Sequence, residues 1–565
     1  MALAGILVAT PGHSQAINVR IENPDGGCPI SPSKTGVGFR DSLSTMQALV
    51  TWRNDLLAAG YIDARIDSLR WKNDTLLGIA NCGMLFTFES LERGNVPEEY
   101  FDATRNSITR NGKRAFRQSD LEELMAGVLR KAENQGFPFA EISLDSIEIN
   151  KTGISAQLNM ARNDFTRFDS LIIKGDSKTN ARFIQNYLGL KKGTPYDQSL
   201  YDRIPTRLRE LPFLRQLKPY EIGMRPGKAD IYLYLSDRKA SSFDGIIGIQ
   251  PDRATAKTII TGDIKLNLLN SFKRGERVEM RWQRLQTRTQ QLDLAFSYPY
   301  LLNTPVGVDF TFNLYRRDTL FSQIEAQIGA QYSLSGSNRV LAYFKNLQAN
   351  VISPQATALD FVDSKTNLFG IGLDFSDLDY RRNPTKGYFF QSDIAAGKKE
   401  IEQDPTSDDS LFNSLVKNTD LYKGKLNLGV FLPLGNRSTF HIRSQLASIV
   451  NENLFRNEMY RIGGLKTLRG FDEQSIFAST YAIFSFEYRF ILEENSNVFL
   501  FYDQAWYEDN ASFSYVSDAP NSFGGGINFE TGAGIFSLTY ALGNRFNQGF
   551  EIRNGKVHFG FTSYF

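Results

Sequence analysis

Few of the features that assign a chain quickly are present. No run of about 18 apolar residues occurs in its 565 residues, which excludes a helical membrane span. Only three histidines exist, His13, His441 and His558, scattered too widely for a metal or general-base cluster. Two cysteines, Cys28 and Cys82, exclude a disulfide-rich scaffold. They leave two readings open, a single bridge in an oxidising compartment or two free thiols. Charge of one sign is also missing: 64 basic against 62 acidic side chains give no polyanion-binding bias, so nucleic acid is not an expected partner. No serine nucleophile elbow occurs, and Gly524-Gly525-Gly526 looks like a phosphate loop but no helix follows it. An enzyme is not expected, and no cofactor or metal is implied. "DPTSDDS" at 404–410 reads as solvated loop charge in preference to a weak calcium site.

What is abundant is aromatic. The chain has 43 Phe and 24 Tyr, yet its mean hydropathy is −0.31. That combination suits a large β protein whose strands alternate polar and apolar residues, including a membrane barrel. At the N-terminus, Ala2 to Ala9 is a short apolar run and Ser14-Gln15-Ala16 carries small residues before a cut site. Without a basic n-region, residues 1–16 read as a signal peptide lacking its start.

Residues 41–240 repeat one pattern, a helix ending in glycine plus an aromatic, then two strands. In the first copy, helical spacing runs through Leu43, Met46, Leu49, Val50, Leu56 and Leu57, and "YIDARIDSLRW" and "TLLGIANCGMLFTF" follow as strands. In the second, Ser119 is the expected N-cap with Glu122 three residues on, and Gly136 closes the helix. The third passes from the strand "FDSLIIKG" through helices at 180–188 and 197–211 to two further strands. Three α+β modules, 17–95, 96–163 and 164–240, are the economical division. The alternative is one irregular α/β domain.

From Phe243 to the last residue the period is two. Sixteen strands are expected over 241–565, about 20 residues each with the connection, a normal ratio for a membrane barrel. Even-to-odd connections such as "NSFKRG", "LSGSN", "PLGNR" and "TGA" are short, and odd-to-even ones such as "VISPQATALDFVDSK" are long. In the twelfth strand Phe484, Phe486, Tyr488 and Phe490 alternate with Ser485, Glu487 and Arg489. A soluble sandwich shows the same alternation. The loop asymmetry and a terminal aromatic, Phe565, favour a 16-stranded antiparallel transmembrane barrel behind N-terminal α+β modules.

"GGLKTLRGF" at 463–471 lies between the eleventh and twelfth strands. With "FSYPYL" (296–301), "RNPTKGYFF" (382–390), "VFLFYDQAWYED" (498–509), "FGGGINFETGAGIFSLTYALG" (523–543) and the closing "HFGFTSYF", it resembles the outer-membrane assembly-factor superfamily of BamA, TamA and the two-partner secretion transporters. The modules resemble POTRA domains. The resemblance implies that the loop of Leu468, Arg469, Gly470 and Phe471 folds into the lumen. There Arg469 would meet Glu487 and Asp503, Gly470 would permit a tight turn and Phe471 would pack on the barrel wall. The plainer alternatives are that Glu487 meets only Arg489, or that Arg469 is a solvated loop charge. Gly245 and Gly248 in the first strand and Gly560 in the last weaken those strands. With Phe565 they mark a lateral seam that could open, or they relieve crowding at closure.

The function so implied is an insertase or translocase that helps client β-barrels fold into the outer membrane without ATP, the modules lying in the periplasm. Its expected partners are unfolded client proteins, periplasmic or lipoprotein subunits, and outer-membrane lipid. The alternative is a two-partner-type secretion channel, disfavoured because no plug helix is read before Ser42.

Overall fold

The computed structural model describes residues 18–22, 42–72, 75–101, 114–151, 153–251, 258–286, 289–352, 361–381, 383–402, 415–511, 514–532, 534–546 and 548–564. The signal-like segment 1–16, Cys28 and the rest of 23–41, the acidic loop at 404–410 and Phe565 lie outside them. The chain divides into two compact units. The smaller comprises Met1–Phe168, Gly193–Ser199 and Met224–Ala229, and the larger comprises Asp169–Lys192, Leu200–Gly223 and Asp230–Phe565. Among the described residues no helix is long and apolar enough to cross a membrane, which leaves strands free to do so.

In the smaller unit, Thr75–Asn81 is the centre of a three-stranded sheet, with Asn18–Glu22 parallel on one side and Arg65–Lys72 antiparallel on the other. Helix Ser42–Ala58 buries Leu49, Trp52 and Leu56, one face at three- and four-residue spacing. Leu57 packs partly buried beside them, while Leu43, Met46 and Val50 of the expected stripe turn outward. "TLLGIANCGMLFTF" is not one strand. Gly83, at φ +64°, breaks it where a side chain would press on Asp63. Thr87–Glu92 then pairs with Gly153–Ala161 in a second, four-stranded sheet completed by Arg114–Ala115 and Glu141–Ile149. Cys82 is buried and disulfide-bonded.

Helix Gln118–Glu133 covers the second sheet through Leu121, Leu124, Val128 and Ala132. Ser119 is not its N-cap. The helix starts one residue before it, with Arg117 extended at the cap, and the Gln118 side chain donates to Glu122 at 2.7 Å. Gly136 ends it at φ +101°, and the Phe137 N–H donates to the Ala132 carbonyl at 3.0 Å.

In the larger unit, Lys228–Asp237 runs between Arg167–Gly175 and Leu214–Arg225. Helix Ala181–Tyr187 is capped by Asn180, whose side chain accepts from the Arg182 and Phe183 N–H groups. The helix expected at 197–211 is broken at Arg203, because Pro205 restarts it as Ile204–Arg209. These helices rest on the short barrel turns. Gly336 N–H donates to the Tyr187 carbonyl at 2.8 Å, Asn270 donates to Thr179 at 2.9 Å, and the Phe183 and Tyr300 ring centroids are 5.8 Å apart.

From Ser242 the chain forms a closed antiparallel barrel, each strand bonded to the next. Its strands number sixteen from Ser242–Pro251 to Lys556–Tyr564. The fourteenth is in two pieces, Ser514–Asp518 and Asn521–Thr531, both paired with the thirteenth, Ser496–Ala511. The alternation sorts as lipid demands. On the twelfth strand, Thr480–Glu493, Phe484, Phe486, Tyr488 and Phe490 are exposed outward, while Ser485 and Glu487 are buried inward.

Closure is uneven. Among the described residues, the first and sixteenth strands pair at Ser242 with Tyr564 and Phe243 with Ser563 alone. The first and second share ten residue pairs, and the fifteenth and sixteenth seven. Gly245 and Gly248 pair with the second strand, and Gly560 pairs with Ser537 of the fifteenth. None of the three sits in the seam ladder. At Gly560 an added Cβ would meet only the Ser537 Cβ, at 3.6 Å, so crowding does not require that glycine.

Candidate functional site

The connection between the eleventh strand, Ser438–Val450, and the twelfth folds back inside the barrel. It contains a short hairpin, Tyr460–Ile462 against Ile476–Ala478, whose tip carries the Leu468-Arg469-Gly470-Phe471 sequence. The tip is tightly wound. Gly463 and Gly464 both have positive φ, Gly463 N–H donates to Thr467 Oγ1 at 2.8 Å, and Gly464 N–H donates to the Leu468 carbonyl at 3.0 Å. Leu468 is fully buried and packs with Ile462, Ile476, Ile483 and Ala505.

That winding aims Arg469 at two carboxylates. Its Nε donates to Asp503 Oδ2 at 2.8 Å and its Nη2 to Asp503 Oδ1 at 2.6 Å, a bidentate pair, and Nη1 donates to Glu487 Oε2 at 2.5 Å. The Arg469 backbone N–H also points to Asp503, at 3.3 Å. Asp503 is wholly buried. Glu487 does meet Arg489, its Oε1 accepting from Nε at 2.6 Å, so it bridges two guanidiniums. Arg469 and Arg489 pair with the two anions, and Arg443 on the eleventh strand interacts with the same carboxylates, so each buried anion has a cation to answer it.

Residues that pattern reading missed complete the pocket. The Arg469 guanidinium lies 3.6 Å from the Phe501 ring centroid, over a residue directly opposite Glu487 in the ladder. Gly524 leaves room for that ring, since a Cβ there would come within 2.8 Å of it. The triple glycine 524–526 therefore serves packing on the fourteenth strand. Gly470, at φ +85°, and Phe471 lie against Gly543 of the fifteenth strand (Gly534–Asn544), where a Cβ would be 2.7 Å from the Gly470 oxygen and 2.9 Å from the Phe471 ring. Both glycines lie in the quoted "FGGGINFETGAGIFSLTYALG", which was the available signal. Asp472, one residue on, pairs with Lys556 of the last strand at 2.7 Å.

A second anchor holds the base of the loop. Lys399 on the ninth strand, Gly387–Glu402, and Glu458 are both buried and pair at 2.5 Å. Glu458 also accepts from Ser364 Oγ at 2.7 Å and from the Phe455 N–H at 3.1 Å. No motif spacing pointed to this pair, whose members are 59 residues apart.

The Omp85 superfamily domain matches residues 270–565, more than half of the chain. No curated protein matches the sequence. Among solved structures, CdiB from Escherichia coli is 12% identical with a TM-score of 0.54, covering 92% of this chain and 97% of that one. CdiB from Acinetobacter baumannii is 12% identical with a TM-score of 0.52, covering 85% and 90%. BamA from Haemophilus ducreyi lacking POTRA domains 1–3 is 15% identical with a TM-score of 0.40, covering 84% and 100%. With its barrel closed by sixteen strands and its inward loop, the chain belongs to the Omp85 superfamily, whose barrels reside in the outer membrane.

Proposed function

We propose that this protein is an insertase that helps client β-barrels fold into the outer membrane without ATP. The observation that carries the reading is the seam. A barrel held at one junction by two residue pairs among the described residues, against seven to ten at the neighbouring junctions, opens there at least cost, and the freed edges can template a client strand. Within this reading the Arg469 cluster is a lock that keeps the loop inside, and the modules at 17–95, 96–163 and 164–240 are POTRA-like and periplasmic. Their free edges would take up extended clients or partner subunits by strand addition. Glu141–Ile149 ends the second sheet, with Ile147 and Ile149 exposed.

The test uses cysteines at Phe243 and Ser563, which face each other in the seam. Oxidation is expected to stop insertion of a client barrel into liposomes, and reduction to restore it. Full insertion by quantitatively cross-linked protein would sink the reading. A secretion channel is the second reading, favoured by the polar space of about 320 Å³ beneath the loop hairpin. Passage of an exoprotein across proteoliposomes with the seam locked would select it.

A further inference from the structure

That polar space has a composition of its own. It is lined by Lys345 on the seventh strand (Asn338–Val351), Lys423 and Lys425 on the tenth (Asn418–Pro433), and Arg461 of the loop hairpin, with Glu325 and Asp393 as the available acids. Glu458 also lines it but is held by Lys399. Lys345 takes Glu325, at 2.9 Å. Asp393 accepts from the Tyr343 hydroxyl at 2.8 Å. Arg461 donates to Gln323 at 3.3 Å and stacks 3.8 Å from the Tyr315 ring centroid, with no ion-pair partner among the described residues. Among those residues, neither Lys423 nor Lys425 has a carboxylate oxygen within 4.0 Å.

Lys423 and Lys425 are two apart on one strand, so they share a face about 7 Å apart. Set side by side in a confined lumen without a carboxylate of their own, they repel each other more than they would in bulk water. Counting Asp393 against Lys423, Lys425 and Arg461 leaves about two positive charges unanswered. We infer that this cavity binds a phosphate-type oxyanion between Lys423, Lys425 and Arg461. Two ammonium groups supply point charges and the guanidinium a planar fork, the donor set that suits a tetrahedral dianion. A cavity of about 320 Å³ holds a phosphate group with several waters. The ligand joins the tenth strand to the inward loop. Free phosphate and a phosphorylated lipid headgroup present the same chemistry.

The experiment uses the full chain, purified in detergent, with calorimetry at constant ionic strength. One arm titrates inorganic phosphate, and the other titrates micelles carrying short-chain phosphatidic acid, with phosphatidylcholine as the blank. Saturable binding is expected in at least one arm, weakened tenfold or more in the Lys423→Gln/Lys425→Gln double variant. Lys398→Gln, which removes an exposed lysine facing Asp420, should leave it unchanged. Heat-modifiable migration of each variant shows that the barrel is folded. Binding in the phosphate arm assigns a free ion, and binding in the lipid arm alone assigns a headgroup. No saturable binding in either arm, or binding indifferent to the double variant, overturns the inference and leaves the insertase reading as it stands.

Discussion

Arg469 concentrates several interactions on one side chain: a bidentate pair to Asp503, a single bond to Glu487 and a ring face from Phe501. Truncating it leaves two carboxylates facing each other, with Arg489 paired to Glu487 and Arg443 as the other cation in electrostatic reach. Breaking a buried pair by removing one partner costs about 3–5 kcal/mol, and a wet lumen should bring Arg469→Ala to the lower end of that range or below. Arg469→Lys should recover part of the loss, because an ammonium group can neither fork across Asp503 nor stack as a plane on Phe501. Glu487→Gln keeps the bidentate pair and should be milder. The measurement is protease accessibility of residues 452–479 alongside insertion activity. If all three variants keep a protected loop and full activity, Arg469 is an ordinary charge. Its partners were legible because acidic side chains at inward positions of the next two strands stand out. Phe501 and Gly543 were not, since an aromatic and a glycine in a barrel have many uses.

The loop is an element held at two ends. Its tip is tied by Arg469 and its base by the Lys399–Glu458 pair, which is drier than the tip, both side chains being essentially inaccessible. Lys399→Met would leave the Glu458 carboxylate with only Ser364 and a backbone N–H as partners, at a cost of about 3–5 kcal/mol. Mapped limited proteolysis should then find the first cuts near residues 452–458 while the tip stays protected. First cuts at the tip would mean that the base carries no independent load. The barrel was read from Phe243 with sixteen strands, and its first strand begins at Ser242, because a period of two against lipid is strict. Helix ends were read less well. Ser119 is a sound N-cap by composition, yet the helix begins before it, where packing of Leu121 and Leu124 on the second sheet sets the entry.

At the scale of the molecule, most of the third sheet and its helices belong to one compact unit with the barrel, and the first two sheets belong to the other. Removal of residues 17–163 should therefore leave a folded, heat-modifiable barrel that inserts clients slowly. Removal through 240 should do more. It uncovers Gly275 and Tyr300, which Phe183 covers, and the turn bonded to Tyr187, so the detergent-solubilised barrel should lose thermal stability as well. Equal melting temperatures for the two truncations would show that the third sheet lends the barrel nothing.

By itself the sequence determined the number of barrel strands and the alternation of faces along them, and the inward loop was implied by the resemblance that its motif carries. The strand number and the alternation follow from local pattern and chain length under the demands of lipid. Tertiary structure decided what the alternation cannot carry. It set which inward residues from distant elements converge, as Lys399 finds Glu458 and Lys423 lines one cavity with Arg461. It also set how few residue pairs close the seam, because register between the first and last strands depends on the tilt and stagger of all the others.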